Sequence, residues 1–466
     1  MTLRMAGKTI TDPLYGNIKL TRLESELVST PAFQRLHNVK QLGLGHLVFP
    51  SAGYSRFAHS IGACGNADNI VTAIQHNTSK KISDQKRQAF RIAALMHDLG
   101  HYPFSHTTEH AVRKFYGAGS YKSSSTQLEL PEMPAESVSL LDHEEVGKLV
   151  LEENASIREC FAKHGDLSLD DVRLAFLDEK MSTIISSDLD CDRMDYLRRT
   201  AHHSGAPYGA VDVDFLISKS TLDGKGRFCF DRKALRAADH LLMSRFYDFM
   251  QIPFHKTVAS LEWSLEEAVY HLLENGHIAL SESAIKTMSA DGNWEQFDDA
   301  FLLGKMRVAA LSSGTSIAKD HLKAVLERRP AKSVYYWECL AEMNSREHGV
   351  RKKAIERELS HICSDLSIDR QRFHIWEAPF KLAKAGPILQ RKPSSEMDRS
   401  DEEEQQLIQI LQKGSSDAVP LISLPNTISH HMAQLNYQVL RVYYLPEEKD
   451  ESGMTEKVRM RLSEVG

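Results

Sequence analysis

Residues 97–110, HDLGHYPFSHTTEH, crowd four histidines, an aspartate and a glutamate into one short stretch. Adjacent His97 and Asp98 close an apolar run that Gly100 and Pro103 then interrupt. An imidazole nitrogen and a carboxylate oxygen therefore leave the end of one helix together, and both can reach a single divalent cation. Two ligands do not hold a metal. The upstream candidate for a further ligand is His59 in SRFAHSIG, and the downstream candidate is Asp192 in SDLDCDRMDYL. Two histidines with two aspartates make a mixed N/O set without thiolate, suited to Mn, Fe, Mg or Zn and selective for none of them. Positions left open on such an ion accept a water and a phosphate oxygen, the arrangement for metal-assisted hydrolysis.

A histidine beside an aspartate more often caps a helix or forms a surface pair. Here the crowding by His101, His106 and His110 favours the metal reading. The same stretch also spells H-x-x-E-H over residues 106–110, the inverted zinc-protease signature, with both histidines on one helical face and Glu109 as base. That alternative needs a further Glu ligand and leaves His97 and Asp98 without a role.

Helices must carry these groups. Residues 85–97 place Phe90, Ala93, Ala94 and His97 on one face at helical spacing. Asp142 reads as the N-cap of a helix ending near Glu153, with Glu144 and Glu145 in the first turn, where the helix dipole favours anions. Residues 176–200 and 232–250 read as further helices. Residues 224–230 read as a turn entering a short strand, and residues 373–376 and 438–445 as strands. The Ser-, Pro- and Gly-rich residues 117–139 are expected to form a surface loop, and the charged, weakly hydrophobic residues 386–406 a mobile segment. The predicted fold is mainly α: a helical body over residues 1–330, with its motif core at 10–260, and a smaller α+β lobe over 331–466.

The whole-chain properties narrow the function. Of 466 residues, 42% are apolar, which excludes wholesale disorder. Lys and Arg number 57 against 63 Asp and Glu, a net charge of −6, so the chain is no general polycation and any grip on phosphate must come from a few placed cations. No apolar run reaches the ~18 residues of a membrane-spanning helix. The first residues lack the apolar core of a secretory signal. Six cysteines (64, 160, 191, 229, 339 and 363) form no C-x-x-C pair, as expected of a reduced, cytoplasmic protein without a structural zinc knuckle.

HD followed by LGHYPFSH resembles the HD-domain phosphohydrolases, above all their deoxynucleoside triphosphate (dNTP) triphosphohydrolase branch. Flanking blocks agree in order and spacing: DPLYG (12–16), PAFQRLHNVKQLG (31–43), VFPSAGYSRFAHSIG (48–62) and DRMDY (192–196), followed by His202 and His203. The resemblance implies that His59, His97, Asp98 and Asp192 hold the metal. It makes His101 a donor to the α-phosphate and His106 the acid for the leaving oxygen, oriented by Glu109 and His143. Arg56 would hold the α-phosphate, and Arg193, Tyr196 and Arg245 the rest of the triphosphate, with Gln41 and Leu42 beside sugar and base. The implied activity is hydrolysis of dNTPs to nucleoside and inorganic triphosphate by a homo-oligomer (dimer, tetramer or hexamer), with a nucleotide effector as a further partner.

Four positions depart from the family's pattern. Its carboxylate near the ribose 3′-hydroxyl falls at Thr200, and its aromatic residue against the 2′ position falls near Pro253, with Tyr247 and Phe254 as the neighbouring aromatics. A guanine-reading aspartate falls at Ser29 and an effector-site arginine at His37, so activation by guanine nucleotide is not implied. Two alternatives stay open. One is an HD-type phosphodiesterase or phosphatase on another nucleotide, which would not need the four substrate residues together. The other is a non-catalytic module binding nucleic acid or a partner.

Overall fold

Asp12 starts the chain's first turn. Its carboxylate accepts the Leu14 and Tyr15 backbone N–H groups at 2.8 and 3.2 Å, and strands β1 (Thr9–Asp12) and β2 (Gly16–Lys19) pair antiparallel across it. This is a computed structural model, and it describes residues 7–117, 142–165, 167–311, 316–342, 345–377, 406–447 and 453–465. The loop expected at 117–139 and the segment expected at 386–406 lie almost entirely outside the described residues.

Helix α1 (Arg22–Ser29) begins with a capping box in which Thr21 and Glu24 satisfy each other's backbone N–H groups. Glu24 is fully buried and also takes the guanidinium of buried Arg91 through two bonds of 2.7 Å, tying α1 to α3 (Asp84–Met96). Between them runs α2 (Arg56–Thr78), opened by Ser55, whose hydroxyl accepts the Ala58 N–H. Then follow α4 (His106–Tyr116), α5 (His143–Glu153), α6 (Ala155–His164), α7 (Leu169–Leu177) and α8 (Cys191–Ser204). The body continues through α9 (Leu235–Gln251), α10 (Lys256–Glu274), α11 (Asp299–Ala310) and α12 (Ile317–Leu326). One apolar core links them, from Leu27 and Phe33 through Ile70, Phe90 and Leu95 to Leu241, Leu265 and Trp294.

The single helix expected over 176–200 is instead two helices with a turn between them. Asp178 accepts the Lys180 and Met181 N–H groups and folds the chain away after α7. Asp190, in extended backbone, accepts the Arg193 N–H at 2.8 Å and starts α8 afresh. Aspartates that bond nearby backbone compete with helix continuation, and two of them override the apolar spacing here.

The turn expected to lead into a short strand at 224–230 is there, with β4 (Phe228–Asp231) as the strand, and it closes a hairpin with a preceding strand, β3 (Ser220–Leu222). Beyond α12, β5 (Lys332–Glu342) leads to α13 (Glu347–Leu366), β6 (Phe373–Glu377), β7 (Gln409–Leu411), β8 (Ala418–Pro420), β9 (Leu435–Tyr444) and α14 (Met454–Ser463). β9 lies between β5 and β6 in an antiparallel sheet. One sheet face packs on α13 and α14 through Val334, Ile355, Leu359, Leu440, Val442 and Leu462. The other meets the body through Tyr443 and Leu445 against Ala259 and Trp263 of α10. β7 pairs in parallel with β4, so the chain returns to the body between β6 and β9. The molecule is thus mainly α with a smaller α+β lobe. No helix among the described residues is long and apolar enough to cross a membrane.

Candidate active site

Three stretches distant in sequence meet at the end of α3. His97 caps that helix, and its Nδ1–H donates to the Ala94 carbonyl at 2.8 Å, which turns Nε2 outward. His59, one turn into α2, is fully buried and donates from Nδ1 to Asp195 Oδ2 at 2.7 Å. Its Nε2 lies 2.8 Å from Asp192 Oδ1 and 3.8 Å from Asp98 Oδ2, and His97 Nε2 lies 3.2 Å from Asp98 Oδ1 and 3.7 Å from Asp192 Oδ1. Ligand atoms of His59, His97 and Asp192 all fall within 4.8 Å of one another. The Nε2 atoms of His59 and His97 are buried between these carboxylates, and neither makes a well-aligned hydrogen bond to them. Buried polar atoms are seldom left so, and two of them aimed between carboxylates fit a divalent cation.

The carboxylates make this a place for positive charge, held as a proton on His59 or by a cation that displaces it. Burial works against charge on His59, but Asp192 and Asp195 outweigh it and push its pKa up to about 10. Asp98 is buried too, yet Arg56, with Nη1 at 2.7 Å from Oδ2, and the surrounding imidazoles hold its carboxyl well below the ordinary range. Asp195 is locked in turn by Arg199 through bonds of 2.9 and 2.8 Å, and Arg199 reaches Asp12 at 2.8 Å. Such a carboxylate behind a ligating imidazole fixes its tautomer and orientation. Gly62 permits this: a Cβ there would stand 1.9 Å from Asp195 Oδ1.

A second histidine group lies beside the first. His101 Nε2 is 3.1 Å from Asp98 Oδ1, and its ring stacks on His143 at 4.0 Å between centroids. Burial, reinforced by Arg56, pushes the His101 pKa well down, so the ring is neutral. Glu109 Oε2 takes His106 Nδ1 at 3.2 Å and His143 Nδ1 at 2.9 Å. Burial would raise its carboxyl, but these two imidazoles hold it far below its ordinary value. Burial lowers His106, and Glu109 recovers only part of that; at His143, Glu109 outweighs burial and the pKa rises. Among the described residues His110 joins no ligand-capable cluster, and His106 faces His101 and His143 instead. The H-x-x-E-H geometry is therefore not formed.

One cavity of about 1020 Å³ is lined by His97, Asp98, His101, His106, His143 and Asp192, and also by Gln41, Leu42, Arg56, Arg193, Tyr196 and Arg245. His59 and Glu109 stand behind its wall. Arg56 is braced by Ser105 Oγ at 2.9 and 3.1 Å. Arg193 and Arg245 share Asp188 Oδ1 at 3.2 Å each, a carboxylate only 1% exposed. Leu42 packs with Tyr208 and Ile252, and Gln41 Oε1 is buried without a partner. Thr200 is buried with its hydroxyl 2.7 Å from Tyr54 Oη. Phe254 and Pro253 line the cavity, whereas Tyr247 is 49% exposed. His203 stacks on Tyr54.

Sequence reasoning assigned no role to Asp195, Arg199, Asp12, Asp188 or Ser105. Asp195 and Arg199 stand four apart on α8, a spacing that signals a helical ion pair, but their long-range partners carry no local signature.

Residues 56–200 match the HD domain family. The chain carries an HD domain. An uncharacterised protein of Methanocaldococcus jannaschii is 28% identical over 286 residues, 59% of this chain and 52% of that one. Human deoxynucleoside triphosphate triphosphohydrolase SAMHD1 is 45% identical over 100 residues, 21% of this chain and 16% of its own length. A crystal structure of a hypothetical protein from Aquifex aeolicus superposes with a TM-score of 0.68 at 24% identity, covering 98% of this chain and 99% of that one, which shows the shared fold. The chain spans about half the length of the first curated relatives it matches. The HD domain supplies His59, His97, Asp98 and Asp192; Gln41 and Arg245 reach the cavity from outside it.

Proposed function

We propose that this chain is a metal-dependent phosphohydrolase that cleaves dNTPs to nucleoside and inorganic triphosphate. The observation that carries the reading is one cavity in which a cation-ready His/His/Asp/Asp cluster opens beside Arg56, Arg193 and Arg245. A divalent cation held by His59, His97, Asp98 and Asp192 would supply Lewis-acid polarisation of a phosphoryl oxygen and lower the pKa of a water.

The remaining work falls to the chain. Arg56, fixed by Asp98 and Ser105, presents its guanidinium to the phosphate nearest the cation. Arg193 and Arg245, drawn together by Asp188, take the outer phosphates, where forked donors match phosphate oxygens. His101 turns Nε2 to Asp98, so its other nitrogen donates to the phosphate when the arriving polyanion favours a second proton on the ring. Burial holds His106 below its ordinary pKa; an arriving polyanion favours its protonated form, and Glu109 orients the ring to protonate the departing 5′-oxygen. Gripping the triphosphate as a unit leaves the nucleoside as the leaving group. The human relative's name supports dNTPs as substrate over a fifth of this chain.

The test is incubation with each dNTP, NTP and cyclic dinucleotide in the presence of Mn, Mg, Fe or Zn, followed by anion-exchange chromatography. Nucleoside with intact tripolyphosphate, abolished in His97→Ala, is expected. Monophosphate products would replace this reading with a phosphodiesterase or phosphatase, and no turnover with any metal would remove the enzyme.

A further inference from the structure

We infer that the Asp248 carboxyl reads a sugar hydroxyl of the bound nucleotide. The inference rests on the nucleotide reading above and names how that site grips the sugar.

Asp248 lies on α9 three residues after Arg245, about 4.5 Å along the helix axis and on the same face. That is the scale separating a nucleotide's 5′-phosphate from its sugar hydroxyls, and both residues line the cavity. The residue is only 3% exposed. Its Oδ1 accepts the hydroxyl of Tyr208, itself packed against Leu42 and Ile252. Arg245 contributes attraction but directs its Nη1 to Asp188. Burial outweighs both, so the carboxyl is pushed up to about 7. A carboxylate has room for about four hydrogen bonds, and a ligand O–H reaching Asp248 from the cavity would relieve the cost of its burial.

The surroundings select the class of ligand. A ligand O–H bonded to Asp248 favours its ionised form, which accepts and does not donate, so the group that suits this carboxyl carries a proton, as a sugar hydroxyl does. The adjoining wall is apolar or aromatic: Leu42, Tyr196, Phe249 and Ile252. Thr200 is fully buried against Tyr54, and Gln41 Oε1 is a further acceptor on this wall. A buried acceptor left without its hydroxyl discriminates against the analogue that lacks it.

The experiment compares kcat/KM for a 2′-deoxynucleoside triphosphate and its 2′,3′-dideoxy counterpart in the unaltered protein, Asp248→Ala and Asp248→Leu. Leucine keeps the side chain's volume, and turnover of the dideoxy compound reports that the phosphate end is intact. The unaltered protein is expected to prefer the hydroxylated substrate by about 10- to 100-fold. Both variants are expected to shrink that preference below about threefold, with the loss falling on the hydroxylated substrate. Retained preference in the variants, equal loss on both substrates, or no preference in the unaltered protein overturns the inference and leaves triphosphohydrolysis standing. Failure of the unaltered protein to hydrolyse any nucleoside triphosphate overturns the nucleotide reading and this inference with it.

Discussion

Replacing Asp195 by Asn separates the two tasks of the buried carboxylate behind His59. Asp195 is fully buried, accepts His59 Nδ1–H at 2.7 Å, and binds Arg199 through 2.9 and 2.8 Å bonds. Removing one partner of a buried pair costs about 3–5 kcal/mol. Asn keeps the shape and one acceptor, and Arg199 keeps Asp12, so the low end, about 3 kcal/mol, is expected. For a cooperative unit of about 300 residues, at about 2.1 cal/mol/K of unfolding entropy per residue, that lowers Tm by about 5 °C. The second effect is on the cation: a weakened group behind a ligating imidazole costs about 10- to 100-fold in metal affinity. Calorimetric titration of the metal-free protein with Mn reads this without reference to turnover. Asp12→Asn is the control. It weakens the same Arg199 network, keeps the turn acceptor for Leu14 and Tyr15, and has no contact with His59. A comparable Tm loss with unchanged Mn affinity is expected there. Equal Mn shifts in both variants, or none in Asp195→Asn, would refute the reasoning.

Glu109→Gln cannot balance two imidazoles, so kcat is expected to fall about 10²- to 10⁴-fold with KM within threefold, read from tripolyphosphate release; a change confined to KM would deny the acid its orienting partner. Asp299 is 4% exposed, and burial pushes its carboxyl up to about 6 although it accepts the Phe104 and Lys40 N–H groups. The folded chain therefore holds a proton that the unfolded chain releases near pH 4, and its ionisation destabilises the fold as pH rises between about 4 and 6. The Tm advantage of the unaltered protein over Asp299→Asn is expected to shrink across that window, and a constant or widening gap would contradict the assignment. Gly100→Ala would put a Cβ 2.0 Å from the His143 carbonyl and 2.2 Å from Gly147 N, both backbone atoms, so α5 must shift and carry His143 from Glu109. Loss of activity with a lowered Tm is expected, and an unperturbed variant would show that the close approach is absent in solution.

Much of this site was readable because its chemistry is concentrated in short motifs. The His-Asp pair at a helix end, the cap at Asp142 and the β-branched run of β9 are local patterns with local causes. The network behind them is not. Arg199 and Asp12 are 187 residues apart, and only the folded chain brings a hairpin turn against α8. The division of 176–200 is made by Asp178 and Asp190, whose side chains bond the backbone at both ends of the gap, a competition with helix continuation that residue types alone do not decide. Asp248 carries no motif either: it is a lone aspartate in an apolar helix, and its burial against Tyr208 is a tertiary fact.

The loop between α3 and α4 shows why the HD domain by itself does not make this site. Phe104 and Ser105 both adopt positive φ, 55° and 59°, without being glycine. Each such residue costs about 1–3 kcal/mol and persists only where its surroundings over-determine it. Here they do: Asp299 accepts the Phe104 N–H at 2.8 Å, Ser105 Oγ donates to the Lys40 carbonyl at 3.2 Å, and Arg56 donates twice to the same oxygen. The turn starts α4 in the direction that brings Glu109 to His143 and holds Arg56 against Asp98. Two of the three restraints come from Lys40 and Asp299, outside residues 56–200. A fragment cut to the matched domain would retain all four candidate metal ligands, yet the loop would be free to relax and Arg56 would lose the brace that aims it.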